Sequence, residues 1–111
     1  NLMELLVMVD ALLSSSIPRV VELAAKNRLP AMYDRADFVD AGGLMSYGVN
    51  LVELSRRSAW YVDQILQGAK PAHLPLIEPT RFQLAVNMNT AKQLGITIPQ
   101  SVLGRADKVI K

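Results

Sequence analysis

Cysteine is absent from the 111 residues. That excludes disulfides, zinc ribbons and thiol nucleophiles, while leaving the redox compartment open. Histidine occurs once, as His73 in a proline-rich stretch, where an exposed loop position is the expectation. One imidazole cannot complete a zinc ligand set. With no G-x-S-x-G elbow beside it, it makes a poor base for a serine nucleophile. No group of carboxylates has calcium-loop spacing. No cofactor or metal is therefore expected, and the chain is not expected to be an enzyme. No apolar run reaches the ~20 residues of a membrane span. The first ten residues have neither a basic region nor a small-residue cleavage site, so they are not expected to be a signal peptide. Charge of one sign is also lacking. Twelve basic and ten acidic residues leave +2, and Arg56–Arg57 is the one adjacent basic pair. Nothing here would neutralise a phosphate backbone, so nucleic acid is excluded as a partner.

What is present is apolar. Hydrophobic residues make up 50% of the chain, high for a small domain, which predicts that some apolar surface packs against something else. The run at residues 5–9 reads as a strand buried on both faces, with a helix continuing to Leu13 as its rival. Ser14, Ser15 and Ser16 offer capping oxygens and Pro18 suits a first turn. Ile17, Val20, Val21 and Ala24 then recur at helical spacing, predicting a helix over residues 17–27. A strand at 29–33, a short helix at 35–41 and a strand at 44–47 follow. Asn50 caps a long helix over 51–67, ended by Gly68. Pro71, Pro75 and Pro79 mark residues 70–80 as an extended connection. Residues 82–86 alternate as a strand. Asn89 or Thr90 caps a helix over 91–94, and residues 101–110 are expected to form a last helical turn or two. This alternation predicts a single α/β segment over 1–111, a parallel sheet with helices on both faces.

In such sheets ligands bind beyond the carboxyl ends of the strands. Those ends carry Asp10, then Tyr33 and Asp34, then Ser46, Tyr47 and Gly48. A carboxylate, phenols and a hydroxyl on neighbouring loops suit a small polar or aromatic molecule. The competing interpretation is loop polarity plus a buried tyrosine. Gly48-Val49-Asn50 is turn chemistry and not a phosphate loop.

Residues 29–48, LPAMYDRADFVDAGGLMSYG, resemble a segment of the tryptophan/tyrosine-type ABC transporter substrate-binding protein family. The similarity continues through ILQGAKPAHLP and N-x-x-TAKQLG and covers the chain from about Val20 to Lys111. The resemblance implies the C-terminal part of a type I periplasmic-binding-protein-like fold: the end of a second lobe and the segment returning to the first. The first lobe and the export signal are then expected outside this chain. It further implies a periplasmic or other extracytoplasmic location, capture of a small organic solute, such as an aromatic amino acid or related acid, in an interlobe cleft, and an ABC permease as partner. Asp10, Tyr33, Ser46 and Tyr47 are the expected ligand-binding positions. A truncated α/β module that pairs with itself as a homodimer, without a ligand, is the alternative.

Overall fold

The structure, a computed structural model, describes residues 3–8 and 10–111. In chain order its elements are β1 (Leu5–Val7), α1 (Ala11–Ser14), α2 (Ile17–Lys26), β2 (Ala31–Tyr33), α3 (Ala36–Asp40), β3 (Met45–Val49), α4 (Leu51–Leu66), β4 (Phe82–Asn87), α5 (Met88–Leu94), α6 (Gln100–Leu103) and β5 (Lys108–Ile110). The chain divides into two compact units, Asn1–Gly48 with Gln83–Lys111, and Val49–Phe82. The strands form one sheet in the order β1-β2-β3-β4-β5. The β1–β2, β2–β3 and β4–β5 ladders are parallel, as the alternation of strand and helix requires. Val9, expected as the last residue of the first strand, lies outside the described residues.

In the larger unit, one detail departs from the expectation of helices on both faces. Strands β1 to β3 step the same way across the sheet, and right-handed crossovers then place their helices on a shared face. Accordingly Val21 and Ala24 of α2 and Phe38 of α3 join Val7, Ala31 and Tyr33 in one buried cluster. Each such side chain contributes roughly 1.5–3 kcal/mol through burial, alanines less. The alternate positions point the other way. There Leu6 is 66% exposed, and with Met32, Met45 and Ile98 it borders an open apolar trough of about 740 Å³.

A second cluster joins Leu44, Val86, Ala91 and Ile98. Asn87 organises it. The Asn87 side-chain oxygen caps α5 by accepting from the Asn89 and Thr90 amides at 3.0 and 3.2 Å, so the helix starts earlier than expected. Its Nδ2 donates to the Val39 carbonyl at 3.3 Å, and its backbone amide donates to the Leu44 carbonyl at 2.8 Å. Residues 101–110, expected to be helical, instead give α6 and then β5. The Leu84 amide donates to the Asp107 carboxylate at 2.9 Å and the Asp107 amide donates to the Leu84 carbonyl at 2.8 Å. That two-way clamp sets the register of a strand too short to show alternation in sequence.

Two glycines hold strands and loops close. A Cβ on Gly43 would stand 2.6 Å from Tyr33 Cε2 and 2.8 Å from the Phe38 carbonyl oxygen. A Cβ on Gly48 would stand 1.9 Å from the Asp34 carbonyl oxygen. Backbone occupies that space, so no rotamer change relieves the contact.

In the smaller unit, Asn50 caps α4 as expected, accepting from Val52 and Glu53 at 3.0 and 3.3 Å. No residue of this 16-residue helix is buried. The connection that follows forms a single 3₁₀ turn at Pro71–His73. Further along, Pro75 accepts from the Tyr61 hydroxyl and Ile77 donates to it.

Replacing Gly48 with alanine is expected to destabilise the protein by about 3 kcal/mol, the upper part of the range for overpacking. Urea unfolding of the two proteins side by side measures this, and an unchanged midpoint would contradict the contact.

Candidate functional site

The carboxyl end of β2 lies beside the first residues of β3, since Tyr33, the last residue of β2, pairs with Ser46, the second of β3. Paired residues of a parallel ladder share a face, and successive residues alternate. Tyr33 and Ser46 therefore point into the layer covered by α2 and α3, while Tyr47 points the other way.

The four expected ligand-binding residues divide accordingly. Tyr33 is 1% exposed and stacks on Phe38 with ring centroids 4.7 Å apart. It is the buried tyrosine of the competing interpretation. Removing its phenol from water pushes its pKa above the ordinary value of 10.0. Ser46 is also 1% exposed, and its hydroxyl oxygen has no hydrogen-bond partner. Tyr47 is 55% exposed. Asp10 is the N-cap of α1, where its carboxylate accepts from the Leu12 amide at 2.7 Å. The structure therefore does not gather these side chains around one opening. The strand alternation decides this, and it separates Ser46 from Tyr47 although they are adjacent in sequence.

The serine run also differs from expectation. Ser16 occupies the N-cap position of α2 without a side-chain capping bond, and Ser15 donates instead to the Leu12 carbonyl at 2.7 Å. A hydroxyl can satisfy its own turn as readily as the next helix.

A tighter polar group stands where β2 gives way to α3. Asp34 Oδ2 and Arg35 Nε are buried atoms without a partner, and so is Ser46 Oγ. Arg35 uses another nitrogen to pair with Asp37. Buried polar atoms are hydrogen-bonded in the great majority of cases, so three orphans, two just past β2 and one on β3, need an explanation. A carboxylate oxygen, a guanidinium N–H and a hydroxyl offer acceptor and donor together, the complement of a zwitterion. The Gly48 contact holds this group in place, because it locks the Asp34 backbone onto the end of β3. Sequence reasoning noted Asp34 as a strand-end residue but passed over Arg35. The available signal was an acidic and a basic residue in succession directly after a strand. Among the described residues no cluster of three or more metal-ligating side chains occurs, and no helix is long and apolar enough to cross a membrane.

The family profile described as "ABC transporter substrate binding protein" matches residues 2–110. A tyrosine-binding protein from Clostridioides difficile is 26% identical over 85 residues, covering 77% of this chain and 25% of that protein. A crystal structure of a conserved domain protein from Vibrio cholerae superposes with a TM-score of 0.88 at 29% identity, over 96% of this chain and 36% of that one. An ABC domain from Streptococcus pneumonia, in complex with L-Trp, gives 0.83 at 33% identity, over 92% and 35%. The chain thus spans roughly a quarter to a third of the length of the proteins it matches.

The raised Tyr33 pKa has a stability consequence. The unfolded chain releases this proton first, so the burial contribution is complete below pH 10 and is lost as pH rises through the folded-state value. Thermal unfolding followed across alkaline pH should show a midpoint falling above pH 10, and Tyr33→Phe should flatten that fall. An equal slope in the variant would place the titration elsewhere.

Proposed function

As the chain belongs to the ABC transporter substrate binding protein family, we propose that it supplies one side of the solute cleft of an extracytoplasmic importer component. The role is binding and not catalysis. The observation that carries this reading is the pair of buried, unpartnered atoms on Asp34 and Arg35 just past the carboxyl end of β2, with Ser46 Oγ on the neighbouring strand; open α/β sheets take their ligands beyond carboxyl strand ends.

A small amino acid suits that chemistry. The Asp34 carboxylate would accept from its ammonium group and Arg35 would donate to its carboxylate, a charge-assisted pairing. Tyr33 supports the end of β2 from within the core and Asp10 holds α1, while Tyr47 lies on the other face of β3 from Ser46. The names of two relatives, one tyrosine-binding and one in complex with L-Trp, support an aromatic amino acid as the solute.

In this reading the unit Val49–Phe82 is the return crossover to the first lobe. The unburied helix α4 supports it: Leu51, Leu54, Val62 and Ile65 lie on one stripe at helical spacing, and a first lobe would cover them. Closure of the two lobes about the crossovers would trap the solute for delivery to a membrane permease.

Isothermal titration calorimetry of the full-length protein with L-tryptophan and L-tyrosine tests this. Saturable binding is expected. Asp34→Asn should weaken it about 10- to 100-fold, as removal of a charge-assisted bond does, with the unfolding midpoint nearly unchanged. If neither amino acid nor any small organic acid gives heat, or if Asp34→Asn binds equally well, the strand-end assignment fails.

A further inference from the structure

A second candidate site shares no residue with the strand-end group. It lies wholly within the unit Val49–Phe82, as an open groove of about 470 Å³ bordered by Asn50, Glu53, Arg56, Arg57, Trp60 and Arg81 among others. That volume falls in the range of small-molecule sites. Three guanidinium groups face it against one carboxylate.

The groove is held in shape from one side. The Arg57 guanidinium lies 3.7 Å from the Glu53 carboxylate and donates to the Glu78 carbonyl at 3.1 Å. Both of those groups are thereby committed. Trp60 meets Tyr61 edge to face, with centroids 5.1 Å apart and rings at 78°. Tyr61 in turn is tied to the connection at Pro75 and Ile77. The other side is uncommitted. Among the described residues, no hydrogen bond or ion pair engages the side chain of Arg56 or Arg81.

Position on the helix matters. Arg56 and Trp60 are four residues apart, so they share a face of α4. At 3.6 residues per turn that face lies roughly 100° or more round the helix from the stripe of Leu51, Leu54, Val62 and Ile65. The stripe and the groove therefore lie on different faces of the helix. Trp60 is 42% exposed, beside Glu53, Arg56 and the exposed Val52, and the stripe of Leu51, Leu54, Val62 and Ile65 does not account for it.

We propose that this groove binds a planar aromatic carboxylate. Arg56 and Arg81 take its two oxygens, since guanidinium forks match a carboxylate. Its ring lies on the indole of Trp60, in the offset geometry that aromatic pairs favour. Asn50 and Arg57 border the carboxylate end. The proposal stands apart from the strand-end reading and survives its failure.

Trp60 is the only tryptophan of the chain, so its indole N–H resonance and its fluorescence both report on the groove without ambiguity. The test titrates the full chain with benzoate, acetate and benzamide. Benzoate should saturate and shift the Trp60 indole. Acetate, lacking the ring, and benzamide, lacking the charge, should each bind about tenfold more weakly or worse. Arg81→Gln and Arg56→Gln should each weaken benzoate about tenfold. These are exposed positions where folding is not at stake, and circular dichroism checks that. Asp34→Asn should leave the Trp60 response intact, which separates this site from the strand ends. Benzamide binding as tightly as benzoate would remove the anion from the assignment, and acetate doing so would remove the ring. A non-saturating response, or arginine variants that bind benzoate normally, would overturn the proposal outright.

Discussion

A close backbone approach at Gly48 sets the geometry where β2 ends against β3. Gly48 sits against the Asp34 carbonyl with no space for a side chain, and Gly43 sits equally close to the Tyr33 ring and the Phe38 carbonyl. Together they let β3 and its leading turn settle onto the exit of β2. The Tyr33–Phe38 stack fills the volume they leave. The consequence is chemical as well as steric. Around that contact Asp34 Oδ2, Arg35 Nε and the Ser46 hydroxyl are buried without partners. In a low-dielectric setting such groups are costly unless something satisfies them, and a bound zwitterion would do so.

The second cluster shows how one side chain can join several elements. Asn87 closes β4, caps α5, reaches the end of α3 through the Val39 carbonyl and, through its backbone, pairs with Leu44. Thr90, one turn into α5, adds a bond to the Gly42 carbonyl at 2.7 Å. Both residues are buried, so each of these bonds spares a polar group from desolvation without compensation. The Asp107 clamp does the same for β5. The last strand is held by hydrogen bonds from its neighbours more than by apolar burial of its own.

The smaller unit is organised differently. Sixteen helical residues with no buried side chain have little tertiary packing to stabilise them, and isolated helices of this length are marginal in water. Its exposed apolar stripe and the bare trough beside Leu6 and Met32 fit the high apolar fraction of the composition. They also fit a chain that spans about a third of the length of the structures it matches. The polar face of α4 stands outside this logic, with its arginines and tryptophan gathered in one groove.

The order of strands and helices was legible from residue pattern alone, because 3.6 and 2.0 periodicities and the Asn50 cap are local properties written within a few residues of each other. So was the family, through motifs such as AGGLMSYG and TAKQLG. Three things were not. The strand at Lys108–Ile110 is three residues long, and only its pairing with the distant β4 makes it a strand. Which of Ser46 and Tyr47 is buried, and the burial of Tyr33, depend on which face of the sheet α2 and α3 cover, and that follows from crossover direction between distant segments. The burial of Asp34 Oδ2, Arg35 Nε and Ser46 Oγ without partners depends on what packs around β2 and β3, which no local pattern announces. Local pattern decides what a segment becomes, whereas burial, and with it the chemistry of a site, is decided by what arrives from elsewhere in the chain.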